Sequence, residues 1–168
     1  AKVNLYLHVT GRRADGYHCL ESLIVFADLG DTLEVEACDD LILSIDGPFA
    51  EGLPTDRGNL VWQAALALAQ AAGVRAEARI RLLKLLPVAA GIGGGSADAA
   101  AALLALRALW QLPMDDADLH DLAAELGADV PVCLDAHPSV ISGIGHDVRP
   151  APPLPSFALL LVNPLQHL

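Results

Sequence analysis

The chain opens on an alternation in which Val3, Leu5 and Leu7 stand between Lys2, Asn4 and Tyr6, the period-two pattern of a half-buried strand over residues 2–8. A loop rich in glycine and charge (10–18) follows, and then an apolar run over 19–29 that reads as a second strand. Gly30 and Asp31 make a turn before a strand at 32–37, and 41–45 completes a meander. The period then changes: residues 60–72 read as a helix, with Asn59 as N-cap and Gly73 as the stop just past its end. Residues 77–84 alternate again, with Ala78, Ile80 and Leu82 on one face. Beyond a glycine loop, 96–110 reads as a helix capped by Ser96 and 115–126 as a third, closed by Gly127, with a further helix starting near Asp129. Residues 138–145 and 157–163 are strand-like, and 149–156 is a stiff proline-rich connector. Strands, helix, strand, helices, strands is an α+β order and not a regular βαβ alternation.

Composition narrows the function classes. At 168 residues the chain can bury one core and an attached lobe. No apolar run approaches the roughly 18 residues of a membrane span, so a soluble protein is expected. A net charge of −11 with ten Lys and Arg disfavours nucleic-acid binding, but a small anionic ligand needs only backbone N–H groups and a few local cations. Three cysteines, Cys19, Cys38 and Cys133, are odd in number and widely spaced. That pattern fits neither a disulfide framework nor a zinc site and points to a cytoplasmic setting.

The glycine loop carries the chemistry. In AAGIGGGSA, residues 89–97, four glycines crowd into five positions ahead of an alanine-rich helix. Glycine lets a backbone approach a ligand closely and take φ > 0, and the helix that follows aims its N–H groups and positive dipole end at the same point. Ordering four glycines costs too much entropy for a plain connector. A Walker A loop would need a lysine before Ser96, where Gly95 stands, and a dinucleotide fingerprint would need its third glycine at Ser96.

With those two cradles set aside, LPVAAGIGGGSADAAAAL (86–103) resembles the phosphate-binding motif of the GHMP kinase superfamily, which includes galactokinase, homoserine kinase, mevalonate kinase and phosphomevalonate kinase. The opening 33 residues, KLLP before the glycines and LGADVPVCL (126–134) resemble, within it, the 4-diphosphocytidyl-2-C-methyl-D-erythritol kinase family of the non-mevalonate isoprenoid pathway. The resemblance implies the GHMP N-terminal fold, ribosomal protein S5 domain 2-like, with helices on one face of a mixed sheet. It places an ATP-binding domain at 1–155 and the start of a second domain at 156–168. It also implies transfer of the ATP γ-phosphoryl group, with Mg²⁺, to the 2-hydroxyl of a cytidine-diphosphate-linked alcohol by a monomer or weak homodimer. Two alternatives stay open: another GHMP small-molecule kinase, of the mevalonate or homoserine type, or a non-catalytic nucleotide-binding module.

Residue by residue, the resemblance makes Pro87, Val88, Ala89, Ala90, Gly91, Ile92, Gly93, Gly94, Gly95, Ser96 and Ala97 the ATP-phosphate loop, with Ser96 offered to a phosphate or its Mg²⁺. Ala97 departs from the pattern, since many members carry a second serine there. Asp129 matches the catalytic base, and Lys2 the lysine that offsets charge on the attacking oxygen. These two can meet if the first strand lies beside the start of the helix near Asp129. Tyr17 and His18 match the residues that hold the cytosine, by stacking and by hydrogen bonding, and Asn4, on the same side of the strand as Lys2, is expected to contact the substrate too. Lys84 and Asn59 match positions near the nucleotide. His146 stands where the family usually has Glu, and the remaining histidines show no metal-ligand spacing.

Overall fold

The computed structural model describes residues 1–13, 16, 18–144 and 147–162. Its strands are β1 (Lys2–Arg12), β2 (His18–Phe26), β3 (Thr32–Glu36), β4 (Leu41–Asp46), β5 (Ala78–Leu83), β6 (Ser139–Gly143) and β7 (Asp147–Pro150). The helices are α1 (Leu60–Ala72), α2 (Gly94–Leu109), α3 (Asp116–Leu126) and α4 (Val130–Asp135). The strands form two sheets, one in the order β1-β2-β6-β7 and one in the order β3-β5-β4. The expected meander is therefore corrected. β5 inserts between β3 and β4, antiparallel to the first and parallel to the second, because α1 returns the chain from β4 as a crossover.

Local chemistry accounts for most boundaries. The Asn59 side chain accepts from the Val61 N–H at 2.9 Å, and Gly73 takes the left-handed conformation at φ 66° that ends α1. Asp115 lies outside α3 and caps it through the Asp118 N–H. Ser96 is not a cap. α2 begins at Gly94, with left-handed Gly93 at the capping position and no side-chain cap bond. Residues 157–162 are not a strand, and β7 occupies the start of the expected connector.

β1 inverts the expected burial. Lys2 is buried, whereas Leu5 and Leu7 are exposed, Leu7 at 53%. The inner positions have polar partners: Lys2 meets Asp129, and the Asn4 amide donates to Ser22 Oγ at 2.6 Å. The β1–β2 register shifts between Asn4 and Tyr6, an irregularity that re-aims the side chains beyond it.

The main core lies between the β3-β5-β4 sheet and the helices. Leu43, Ile80 and Leu82 meet Val61, Ala64, Ala65 and Leu68 of α1 and Ala99, Leu103 and Leu106 of α2. The alanines let α1 and α2 approach closely, while α4 reaches the other sheet through Val132 against Ile24 and Ile141. Gly47, at φ 109°, closes the β4 end on β5: a Cβ there would lie 2.5 Å from the Lys84 carbonyl oxygen and 2.9 Å from its nitrogen. Backbone atoms on both sides leave no room to yield. Gly47→Ala is expected to cost at least about 3 kcal/mol and to lower Tm by about 10 °C; an unchanged Tm in a thermal melt would contradict this packing.

Candidate functional site

The loop between β5 and α2 is built as a concave turn. Its positive-φ residues are Ala89 (55°), Gly91 (70°) and Gly93 (63°), and alternating such residues with ordinary ones turns successive N–H groups toward one side, a recurring anion-binding arrangement. Residues 87–96 line a cleft of about 360 Å³ together with Pro54, Asn59, Val61, Lys84 and Asp98. Ala89 holds a left-handed conformation without being glycine, and strain of this kind is concentrated at ligand-binding loops.

The first strand seats this loop. The Lys2 N–H donates to the Ile92 carbonyl at 2.9 Å, and the Lys2 stem packs where a Gly93 side chain would be, with Cε 3.0 Å and Cβ 3.2 Å from an added Cβ. The ammonium then reaches Asp129 Oδ2 at 2.9 Å. Lys2 is almost fully covered, whereas the Asp129 side chain is 46% exposed. Asp129 precedes α4 and makes no side-chain cap bond. Its carboxylate is thus held by the ammonium with one side facing solvent, the geometry a group needs to meet an incoming hydroxyl. Neighbouring Cys133 is unsuited to nucleophilic work: burial, then the Asp129 charge, push its thiol up to about 11.

Lys84 sits at the other side of the loop, buried, between two carboxylates. Its Nζ donates to Asp31 Oδ2 at 2.5 Å and to Asp98 Oδ2 at 2.8 Å. Burial alone would raise both acids and lower the lysine. For Asp31 that burial is overcome by Lys84 and by the Leu86 and Leu85 amides, which hold it below its ordinary value. Asp98 is raised to about 6 by burial and by the Asp31 charge, against the pull of Lys84. The pair raises Lys84 despite its burial. One ammonium cannot fully compensate two buried carboxylates. Asp31, with three donors, is the more firmly ionised of the two.

The remaining expected residues are dispersed. Asn4 lies near Lys2 but is engaged with Ser22, whose hydroxyl donates to the Tyr6 carbonyl at 2.7 Å. His18 is exposed and pairs with Arg12, eight positions along β2 from Phe26, the partner of Lys2; that is roughly 26 Å of extended strand. Tyr17 and His146 lie outside the described residues. Asn59 lines the cleft, but its side chain is occupied at both ends, accepting from Val61 and donating to the Pro54 carbonyl at 2.9 Å.

Two carboxylates of this region are not among the residues that the sequence singles out. Asp31 reads there only as part of the Gly30-Asp31 turn. Asp98 has a visible signal, since it stands one turn before Ala102 on the buried face of an alanine-rich helix, where a charge requires a partner. For Mg²⁺ the chain offers Ser96 at the cleft. Ala97 brings no hydroxyl, Asp98 is bound to Lys84, and no cluster of three or more metal-ligating side chains occurs among the described residues. An Mg²⁺ ion held here would take its other ligands from phosphate and water. No helix among the described residues is long and apolar enough to cross a membrane.

Comparison with known proteins bears on the family. Residues 59–137 match the family model for the GHMP kinases N terminal domain. The chain is 56% identical over 164 residues to the 4-diphosphocytidyl-2-C-methyl-D-erythritol kinase of Rhodospirillum rubrum, covering 98% of this chain and 54% of that protein. It is 55% identical over 165 residues to that of Paramagnetospirillum magneticum, covering 98% and 58%. The chain thus spans little more than half the length of these curated relatives. A crystal structure of 4-(cytidine 5'-diphospho)-2C-methyl-D-erythritol kinase superposes with a TM-score of 0.75 at 42% identity, covering 90% of this chain and 53% of that one. A mevalonate kinase crystal structure, at TM-score 0.61 and 14% identity over 90% of this chain and 54% of that one, shares the fold alone. The chain thus carries a GHMP kinases N terminal domain over residues 59–137.

Proposed function

We propose that the protein transfers the γ-phosphoryl group of ATP to the 2-hydroxyl of 4-diphosphocytidyl-2-C-methyl-D-erythritol, in non-mevalonate isoprenoid synthesis. The observation that carries this reading is the Lys2–Asp129 ion pair, 2.9 Å long and seated directly on Gly93 of the glycine loop. Phosphoryl transfer asks the protein mainly for positioning and charge compensation, and both are provided here. The N–H groups of the loop and of the α2 start would receive phosphate oxygens, and Ser96 would help hold an Mg²⁺ ion, which would supply screening of their charge. Asp129 orients the hydroxyl and accepts its proton, and Lys2 offsets charge on the oxygen as it attacks.

The choice of alcohol rests on the resemblance of residues 15–18 and on the relatives at 55–56% identity, which carry the cytidyl-substrate name. In this reading Tyr17 and His18 hold the cytosine while the hydroxyl meets Asp129. Residues 156–168 lead, in this reading, into a second domain that completes the site, and the protein works in the cytoplasm without nucleic acid. The test is a panel of alcohols given to full-length protein with Mg²⁺ and ATP. Phosphorylation of the cytidyl substrate at least about 100-fold more efficient than of mevalonate or homoserine is expected. ATP binding with no transfer to any of them would favour a non-catalytic nucleotide-binding module.

A further inference from the structure

We infer that Asp31, which does not line the nucleotide cleft, is a positioning residue that staples the two ends of the glycine loop together and so sets the affinity for ATP. The inference rests on the kinase reading of the loop. Asp31 stands in the turn between β2 and β3, far in sequence from everything it holds. Through Oδ1 it accepts from the Leu85 N–H at 2.6 Å and the Leu86 N–H at 2.8 Å, the residues from which the loop departs. Through Oδ2 it accepts from Lys84 Nζ at 2.5 Å, and the same ammonium donates to Asp98 in the first turns of α2, where the loop ends. The ammonium also presses under the loop itself: a Cβ on Gly94 would lie 3.1 Å from Lys84 Nζ and 3.7 Å from Asp31 Oδ2.

One carboxylate therefore spans a segment whose many glycines would otherwise sample a wide range of conformations. Ordering it in advance removes that cost from nucleotide binding. The Asp31 side chain is only 2% exposed, so it touches no ligand and acts only through Lys84 and the two amides. Its loss is expected to appear in ATP affinity and much less in the alcohol site, which lies across the loop on Lys2 and Asp129.

The two halves of the staple separate by substitution. Asp31→Asn keeps an oxygen for the Leu85 and Leu86 amides but turns an N–H₂ donor toward Lys84; Asp31→Ala loses both. In full-length protein, calorimetry with Mg·ATP is expected to show affinity about tenfold weaker for Asp31→Asn and about a hundredfold weaker for Asp31→Ala. KM for the alcohol should stay within about twofold of the unmodified protein, with kcat at saturating ATP falling much less than affinity. Leu119→Ala, a core truncation in α3, should lower Tm without weakening ATP, separating positioning from general loosening. ATP affinity unchanged in the near-isosteric Asp31→Asn, an equal rise in KM for the alcohol, or the same ATP loss in Leu119→Ala would each overturn the staple. Unmodified protein that binds no Mg·ATP would overturn the kinase reading beneath it.

Discussion

Asp129→Asn in the full-length protein is expected to lower kcat by about 10²–10⁴-fold, the usual contribution of a positioned general base, while ATP affinity changes by no more than a few-fold. The split follows from where the residue sits. The nucleotide cleft is lined by residues 87–96 and by residues of α1 and β5, and Asp129 is not among them. The carboxylate lies beyond Gly93, held by Lys2 Nζ at 2.9 Å and open to solvent on its other side. It stands at the N-cap position of α4 but makes no side-chain cap bond, so its side chain does not hold the helix end. Asparagine keeps an oxygen for the Lys2 ammonium to donate to, which preserves the seating of the lysine, but it accepts no proton. Steady-state kinetics with calorimetry of ATP on the same preparation decide the matter. An Asn variant turning over at the rate of the unmodified protein would remove Asp129 from the chemistry, and parallel loss of ATP binding would make it part of the cradle.

The helices were legible in the sequence because their ends carry specific chemistry. Asn59 and Gly73 each make the backbone contact that their position in the sequence implies. Ser96, the conventional cap, predicts a start of α2 two residues late, whereas Gly93 ends the loop by a change in the sign of φ. A run of glycines hides which of them turns left-handed, since each can do so at little cost. Strand alternation showed faces but not partners. Nothing in residues 41–45 states that β5 will pair with them in parallel, or that β3 will lie on the far side of β5. Residues 157–162 have the composition of a strand, but a strand also needs an edge to join. Lys2 and Asp129 were selectable through their motifs, while their contact is a product of β1 lying beside α4. Asp31 was hidden by its own versatility. An aspartate in a turn is so often satisfied locally that its three long-range donors leave no mark in the sequence.

Gly93→Ala is expected to reduce kcat/KM by about 10²-fold, the penalty for displacing reacting groups by about 1 Å, because Gly93 is where the phosphate loop and Lys2 touch. The added Cβ meets Lys2 at 3.0 Å from Cε and 3.2 Å from Cβ. The outer contact can be relieved by moving the ammonium, but only by drawing it away from Asp129. The inner contact cannot, since Lys2 is fixed in β1 and its N–H is bonded to Ile92. Alanine at φ 63° adds about 1–2 kcal/mol of backbone strain, relieved if the loop lifts from β1. Either response separates the cradle from the Lys2–Asp129 pair. Gly95 offers the contrast: it lies within the first turn of α2, and an added Cβ meets no protein atom within 4 Å. Gly95→Ala should therefore hold or raise stability, by up to about 1 kcal/mol of helix propensity, and disturb only what binds in the cleft. Kinetics and thermal melts of the two variants separate the effects: a Gly93→Ala protein within about threefold of the unmodified kcat/KM would show that the loop and the lysine do not depend on each other's position.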